Sequence, residues 1–177
     1  MNQKKRKAPM PKPLYDMGES LKYNLAGGFI NAAIILLFSY LDAMASLTMP
    51  ENQASVKRTD FINWVDKYMK TEAAQPYQYN GVDFYGARCG FVHQYSPYSD
   101  LSKAGSCKLF AYSTYPDHAY NPIADSALVV ISAPRLIQDF FKAMTIFMKD
   151  LLSDPRLMAL VSKRMDSLFA IERVDNL

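Results

Sequence analysis

Apolar residues recur along this chain mainly at helical spacing, and that pattern divides it into a short series of helices. The first predicted helix runs from about Asp16 to Leu47 and is stopped by Pro50; its centre, Phe29 to Leu41, is apolar on every side, the signature of a helix inside a bundle. A polar loop, Glu51 to Arg58, leads to a second helix with Thr59 or Asp60 as the expected N-cap. There Phe61, Ile62, Trp64, Val65, Tyr68 and Met69 form an amphipathic stripe. After a turn-rich stretch, Gln75 to Gly81, Asp83 is expected to cap a third helix reaching about Gln94.

The helical pattern then lapses. Tyr95 to Asn121, rich in Tyr, Ser, Pro and Gly, reads as a surface excursion, and Lys108–Ser113 and Ala127–Ile131 read as two short strands pairing antiparallel. Ser132 followed by Pro134 marks the start of a fourth helix, Ala133 to about Leu152. Ile137, Phe140, Phe141, Met144, Phe147, Met148 and Leu151 share its inner face. Asp154-Pro155 restarts a fifth helix to about Glu172, with Leu157, Leu160, Val161, Met165 and Leu168 inward. The expected fold is mainly α: a bundle of about five helices, with a small β-hairpin inserted before the last two.

Composition changes this picture at the ends. With 177 residues, half of them hydrophobic, the chain is long enough to bury a core without disulfides or metals, and a total of seven glycines argues against a glycine-rich nucleotide site. The formal charge of +3 invites a polyanion, but Lys4, Lys5, Arg6, Lys7 and Lys12 stand at the start with no acid among them. The excess is therefore carried by that stretch, and the remainder is slightly acidic. Pro9, Pro11 and Pro13 argue against a helix there, so residues 1–14 are expected to be a disordered basic arm and residues 15–177 a single domain, with the insertion at about 95–132. Lys4 to Lys7 would be the nucleic-acid-binding part of the arm. No apolar stretch directly follows those charges, so the arm does not read as a signal peptide, and two cysteines make no disulfide framework; a cytoplasmic location is expected. Tyr23 to Leu41 holds no charged residue, yet Asn24, Asn31, Ser39 and Gly27-Gly28 favour a buried helix over a membrane span.

Chemistry concentrates between Asp83 and Gln94. Arg88 and His93 lie on one predicted helix, separated by about 140° in projection, so they do not share a narrow face. An arginine offers a fixed cationic fork to a phosphate and a histidine moves protons near neutral pH, a pairing suited to phosphodiester cleavage. In RNA the 2′-hydroxyl is an internal nucleophile, so the chemistry requires no cofactor. A purely structural reading stands beside it: His93 hydrogen-bonds within the bundle while Arg88 pairs with an acid such as Asp42 or Asp83. Asp42 is the candidate to orient Arg88 from the first helix.

Arg88-x-x-x-x-His93 in a helical domain of this size resembles the R-x4-6-H motif of the HEPN superfamily, all-helical domains many of which are metal-independent endoribonucleases of toxin–antitoxin, defence and RNA-processing systems. The resemblance implies a homodimer whose two motifs face each other across a cleft. It also implies that Arg88 polarises the scissile phosphate and His93 is general acid or base, giving a 2′,3′-cyclic phosphate and a 5′-hydroxyl. An antitoxin-like partner protein belongs to the same expectation, as does the alternative of a non-catalytic module that binds RNA or protein. Cys89 follows the arginine where active members commonly carry Asn, Asp or His, which bears on activity more than on membership.

The same residues permit other readings. Cys89, His93, Cys107 and His118 are all the Cys and His of the chain and could form a tetrahedral zinc site, although no paired short knuckles support it; Cys89-His93 could also form a nucleophilic dyad. Tyr95, Tyr98, Tyr112, Tyr115 and Tyr120 could stack unpaired bases or pack over the core edge.

Overall fold

The computed structural model describes residues 10–70 and 79–168, with side chains through residue 165. Lys4, Lys5, Arg6 and Lys7, and the end of the fifth predicted helix beyond residue 168, lie outside the described residues. Seven α-helices and one two-stranded sheet are present among those described: α1 (Lys12–Ala26), α2 (Ile30–Thr48), α3 (Arg58–Trp64), α4 (Gly81–Gln94), α5 (Asp100–Lys103), β1 (Leu109–Ser113), β2 (Leu128–Ser132), α6 (Ala133–Ser153) and α7 (Pro155–Leu168). The fold is mainly helical, as the apolar periodicity requires.

The single long first helix is two helices. Gly28 adopts φ +76°, a left-handed conformation that costs glycine little, and the chain turns there before α2 begins. Pro11 and Pro13 do not exclude helix either. Pro11 caps α1 and Pro13 sits in its first turn, where the missing N–H has no helical acceptor to lose.

Helix α2 is the axis of the bundle, with α1, α3, α4, α6 and α7 all packed on it. Ala33, Ile34, Leu37, Phe38, Leu41, Met44, Ala45 and Leu47 are buried along it. Among the described residues it is the one helix long and apolar enough to cross a membrane, and the helices around it account for that apolarity. Its last carbonyls are covered from α7, where the Arg164 guanidinium donates to the carbonyls of Ser46, Leu47, Met49 and Pro50.

The cap of α3 also differs from expectation. Lys57 takes the N-cap position and Asp60, in the first turn, accepts its N–H at 2.7 Å. The helix then widens into a π turn, Val65–Met69, whose buried Tyr68 and Met69 complete the stripe. Helix α4 starts earlier than Asp83: the Asn80 side chain accepts from the N–H groups of Val82 and Asp83, and Asp83 returns a bond to Asn80 N–H at 2.9 Å. With its other oxygen Asp83 accepts Lys108 N–H at 2.7 Å, which ties the approach to β1 onto the start of α4.

The strands pair in parallel, in register from Leu109↔Leu128 to Ser113↔Ser132, and so form no hairpin. Residues 114–127 are long enough to carry the chain back to the starting end of β1, as parallel pairing demands. On the way Ala119 makes an isolated antiparallel bridge to Val130, on the edge of β2 away from β1. β2 runs straight into α6, whose N-cap Ser132 accepts Arg135 N–H at 3.1 Å.

Candidate functional site

Helix α4 lies against α2 and α3 with Phe84, Ala87 and Phe91 buried, and Arg88 reaches Asp42 of α2. Asp42, three turns into α2, is the first charge after the apolar run. A single oxygen of Asp42 receives Arg88 Nε at 2.8 Å and Nη2 at 2.7 Å. The third corner of the guanidinium, Nη1, reaches His93 Nε2 at 3.0 Å. The acid partner that sequence could name only as one of two is therefore Asp42; Asp83 is engaged by the backbone of Asn80 and Lys108.

This contact overcomes the separation in helical projection. Arg88 is long enough to run along the helix surface to the last turn, where His93 lies just before the helix ends at Tyr95. A guanidinium carries only donors, so His93 Nε2 must be the acceptor, and the imidazole in this arrangement is neutral with its proton on Nδ1. His93 is exposed, while Arg88 and Asp42 are about three-quarters covered.

Burial pushes the Asp42 carboxyl above the usual carboxylate range, outweighing the pull of Arg88 and His93 in the opposite direction. Burial also works to lower the Arg88 value, but the hydrogen bond and charge of Asp42 overcome it and the guanidinium is held above its ordinary value. The raised Asp42 means that the folded chain takes up this proton more readily than the unfolded chain. Its contribution to stability is thus full below the ordinary aspartate value and is lost as pH rises through the raised one. The stability of the wild type relative to Asp42→Asn should therefore improve as pH falls through that window. Melting temperatures of both proteins between neutral and mildly acidic pH test this, and a pH-independent difference would contradict it.

Cys89 is half-buried beside the Arg88 guanidinium and near the Tyr85 hydroxyl, which burial and the neighbouring thiol push above the ordinary tyrosine value. Cys107 Sγ rests on Gly86, where an added Cβ would meet it at 2.3 Å, and burial raises its thiol. His93 is turned to Arg88. His118 is remote from this group: its Nδ1 accepts Ser132 N–H at 2.9 Å and its Nε2 faces Asp139 at 3.6 Å. The four Cys and His do not converge on a zinc site, and among the described residues no group of three or more His, Cys, Asp or Glu is placed to hold a metal.

The tyrosines divide. Tyr95, Tyr98 and Tyr115 are exposed; Tyr112 packs edge-on against Phe91 with its hydroxyl buried, and Tyr120 donates to the Ser126 carbonyl under Lys108. Sequence reasoning missed two features. One is Phe29, exposed at the start of α2; the other is the cluster of His118, Arg135 and Lys142 around the buried Asp139. The i, i+4 spacing of Arg135 and Asp139 was a signal for part of that cluster.

No family model, no curated protein and no solved structure matches the chain.

Proposed function

We propose that this protein is a cytoplasmic, metal-independent endoribonuclease resembling the HEPN superfamily, acting as a homodimer with Arg88 and His93 at its centre. The observation that supports this best is the direct Arg88–His93 contact at 3.0 Å, anchored by Asp42 and open to solvent on the His93 side. Asp42 and His93 use three of the five hydrogens of the guanidinium; a phosphate oxygen would take up the others, with the Cys89 sulfur as a competing acceptor.

In the reaction the ribose 2′-hydroxyl displaces Arg88 Nη1 from His93 Nε2, and that nitrogen takes its proton. The 2′-oxygen forms a bond to phosphorus, the P–O5′ bond breaks, and the 5′-oxygen leaves with a proton supplied by the second copy of the motif. Arg88 stabilises the charge that builds on the non-bridging oxygens. The products are a 2′,3′-cyclic phosphate and a 5′-hydroxyl. A cognate inhibitory protein, as in toxin–antitoxin pairs, fits this reading.

The expected result is cleavage of RNA in the presence of EDTA with cyclic-phosphate ends, and no cleavage where the scissile nucleotide is 2′-deoxy. Intact RNA under those conditions would reject it. The engagement of Arg88 by Asp42 also favours a second reading, a module that binds RNA or protein without cutting; it predicts a stable complex with uncut RNA or with a partner protein.

A further inference from the structure

We propose that the groove between the start of α2 and the end of α4 is a nucleobase subsite, in which an unpaired base of single-stranded RNA stacks on Tyr95 and Phe29 while its backbone phosphate lies toward Arg88 and His93. The placement of the phosphate rests on the nuclease reading; the aromatic groove stands on its own geometry.

The groove is a shallow, open depression of about 410 Å³ lined by Gly28, Phe29, Ile30, Asn31, Ala32 and Tyr95. Two of its walls are aromatic and open to solvent, Tyr95 at 66% and Phe29 at 59% exposure. The Phe29 ring is braced against Gly27, where an added Cβ would meet it at 2.8 Å, and Gly28 beside it has nothing within 4 Å of such an atom. The glycine pair therefore supports one ring and leaves space next to it.

Tyr95 ends α4 in the left-handed region, at φ 50° and ψ 29°, and is the one non-glycine residue with positive φ among those described. Glycine or asparagine meets that backbone requirement at less steric cost. The tyrosine ring is not repaid by the core: it is two-thirds exposed and its centroid lies 6.1 Å from that of Phe91. A flat ring held at a strained position, on the edge of an open groove, is suited to stacking.

Neighbouring chemistry selects the occupant. His93 lies in the last turn of α4 and Tyr95 is its C-cap, so the Arg88–His93 pair and the stacking surface occupy the same end of that helix. Asn31 is exposed on the same groove and offers both a donor and an acceptor to a base edge. Base faces in an A-form duplex are covered by their neighbours, and only an unpaired nucleotide can present one.

The probe is a short 2′-O-methyl oligoribonucleotide carrying one 2-aminopurine, which wild-type protein can bind without cutting. Binding should quench the 2-aminopurine fluorescence. Tyr95→Asn, which accommodates the left-handed backbone while removing the ring, should bind about 10-fold more weakly and lose the quench, and Tyr95→Phe should retain both. Annealing the probe to its complement should abolish the change in fluorescence that the protein causes. No binding by the wild type, or equal binding and quench by Tyr95→Asn, would overturn the subsite. So would a loss of dimer in Tyr95→Asn without RNA, because the groove would then belong to a second copy of the chain. The two proposals separate: quenching that depends on Tyr95 without RNA cleavage keeps the subsite and rejects the nuclease, and cleavage indifferent to Tyr95 does the reverse.

Discussion

Replacing His93 with Ala should reduce RNA cleavage by about 10²- to 10⁴-fold, the range that a positioned proton-transfer group contributes. The fold should survive, because His93 is exposed and its polar contact in this structure is with Arg88 Nη1. Arg88 keeps both bonds to Asp42 in the variant, so phosphate binding should change far less than the rate. His93→Gln sharpens the test, since its amide can offer an acceptor to Arg88 but cannot shuttle protons near neutral pH. If both variants lose cleavage at unchanged melting temperature, proton transfer at His93 is required; if either cleaves at the wild-type rate, the assignment is wrong.

Asp139→Ala is expected to have the largest effect on stability, a loss of about 3–5 kcal/mol, as when one member of a buried ionic cluster is removed. Asp139 is 1% exposed on α6 and faces Arg135 Nε at 3.1 Å, His118 Nε2 at 3.6 Å and Lys142 Nζ at 3.8 Å. His118 accepts Ser132 N–H through Nδ1, which leaves Nε2 as the ring atom facing Asp139. Alanine would remove the buried carboxylate that these groups face, at the junction of β2 and α6. For a chain of this size the loss corresponds to a fall of roughly 6–20 °C in melting temperature. A change below 2 °C in a thermal melt would show that the cluster contributes little. Because it lies apart from Arg88 and His93, the folded fraction of the variant should keep the wild-type cleavage rate.

Parts of this architecture were legible in the sequence because they depend on local chemistry. Ser132 and Pro134 mark the start of α6, Asp154-Pro155 marks the start of α7, and the run of Ile137, Phe140, Met144, Phe147 and Leu151 marks a buried face. The α1–α2 break was harder to read, since Gly27-Gly28 is tolerable within a helix and it is the left-handed φ of Gly28 that turns the chain. Strand direction was not legible: a five-residue apolar pattern has the same period in either orientation, and the pairing was decided by where residues 114–127 return the chain.

The candidate site divides in the same way. The sequence by itself determined a helical chain with an arginine and a histidine five positions apart and a net positive charge confined to one end, because residue types and their periodicity specify helices, buried faces and the chemistry on offer. Which groups meet was decided by the tertiary structure alone. Packing α4 on α2 brings Asp42 to Arg88 across 46 positions and holds the guanidinium along the helix to His93, and the turn at Gly28 places Phe29 in one groove with Tyr95. Helical projection measures angles about one axis, whereas side-chain reach and the docking of a second helix set the distances at which charges and rings interact.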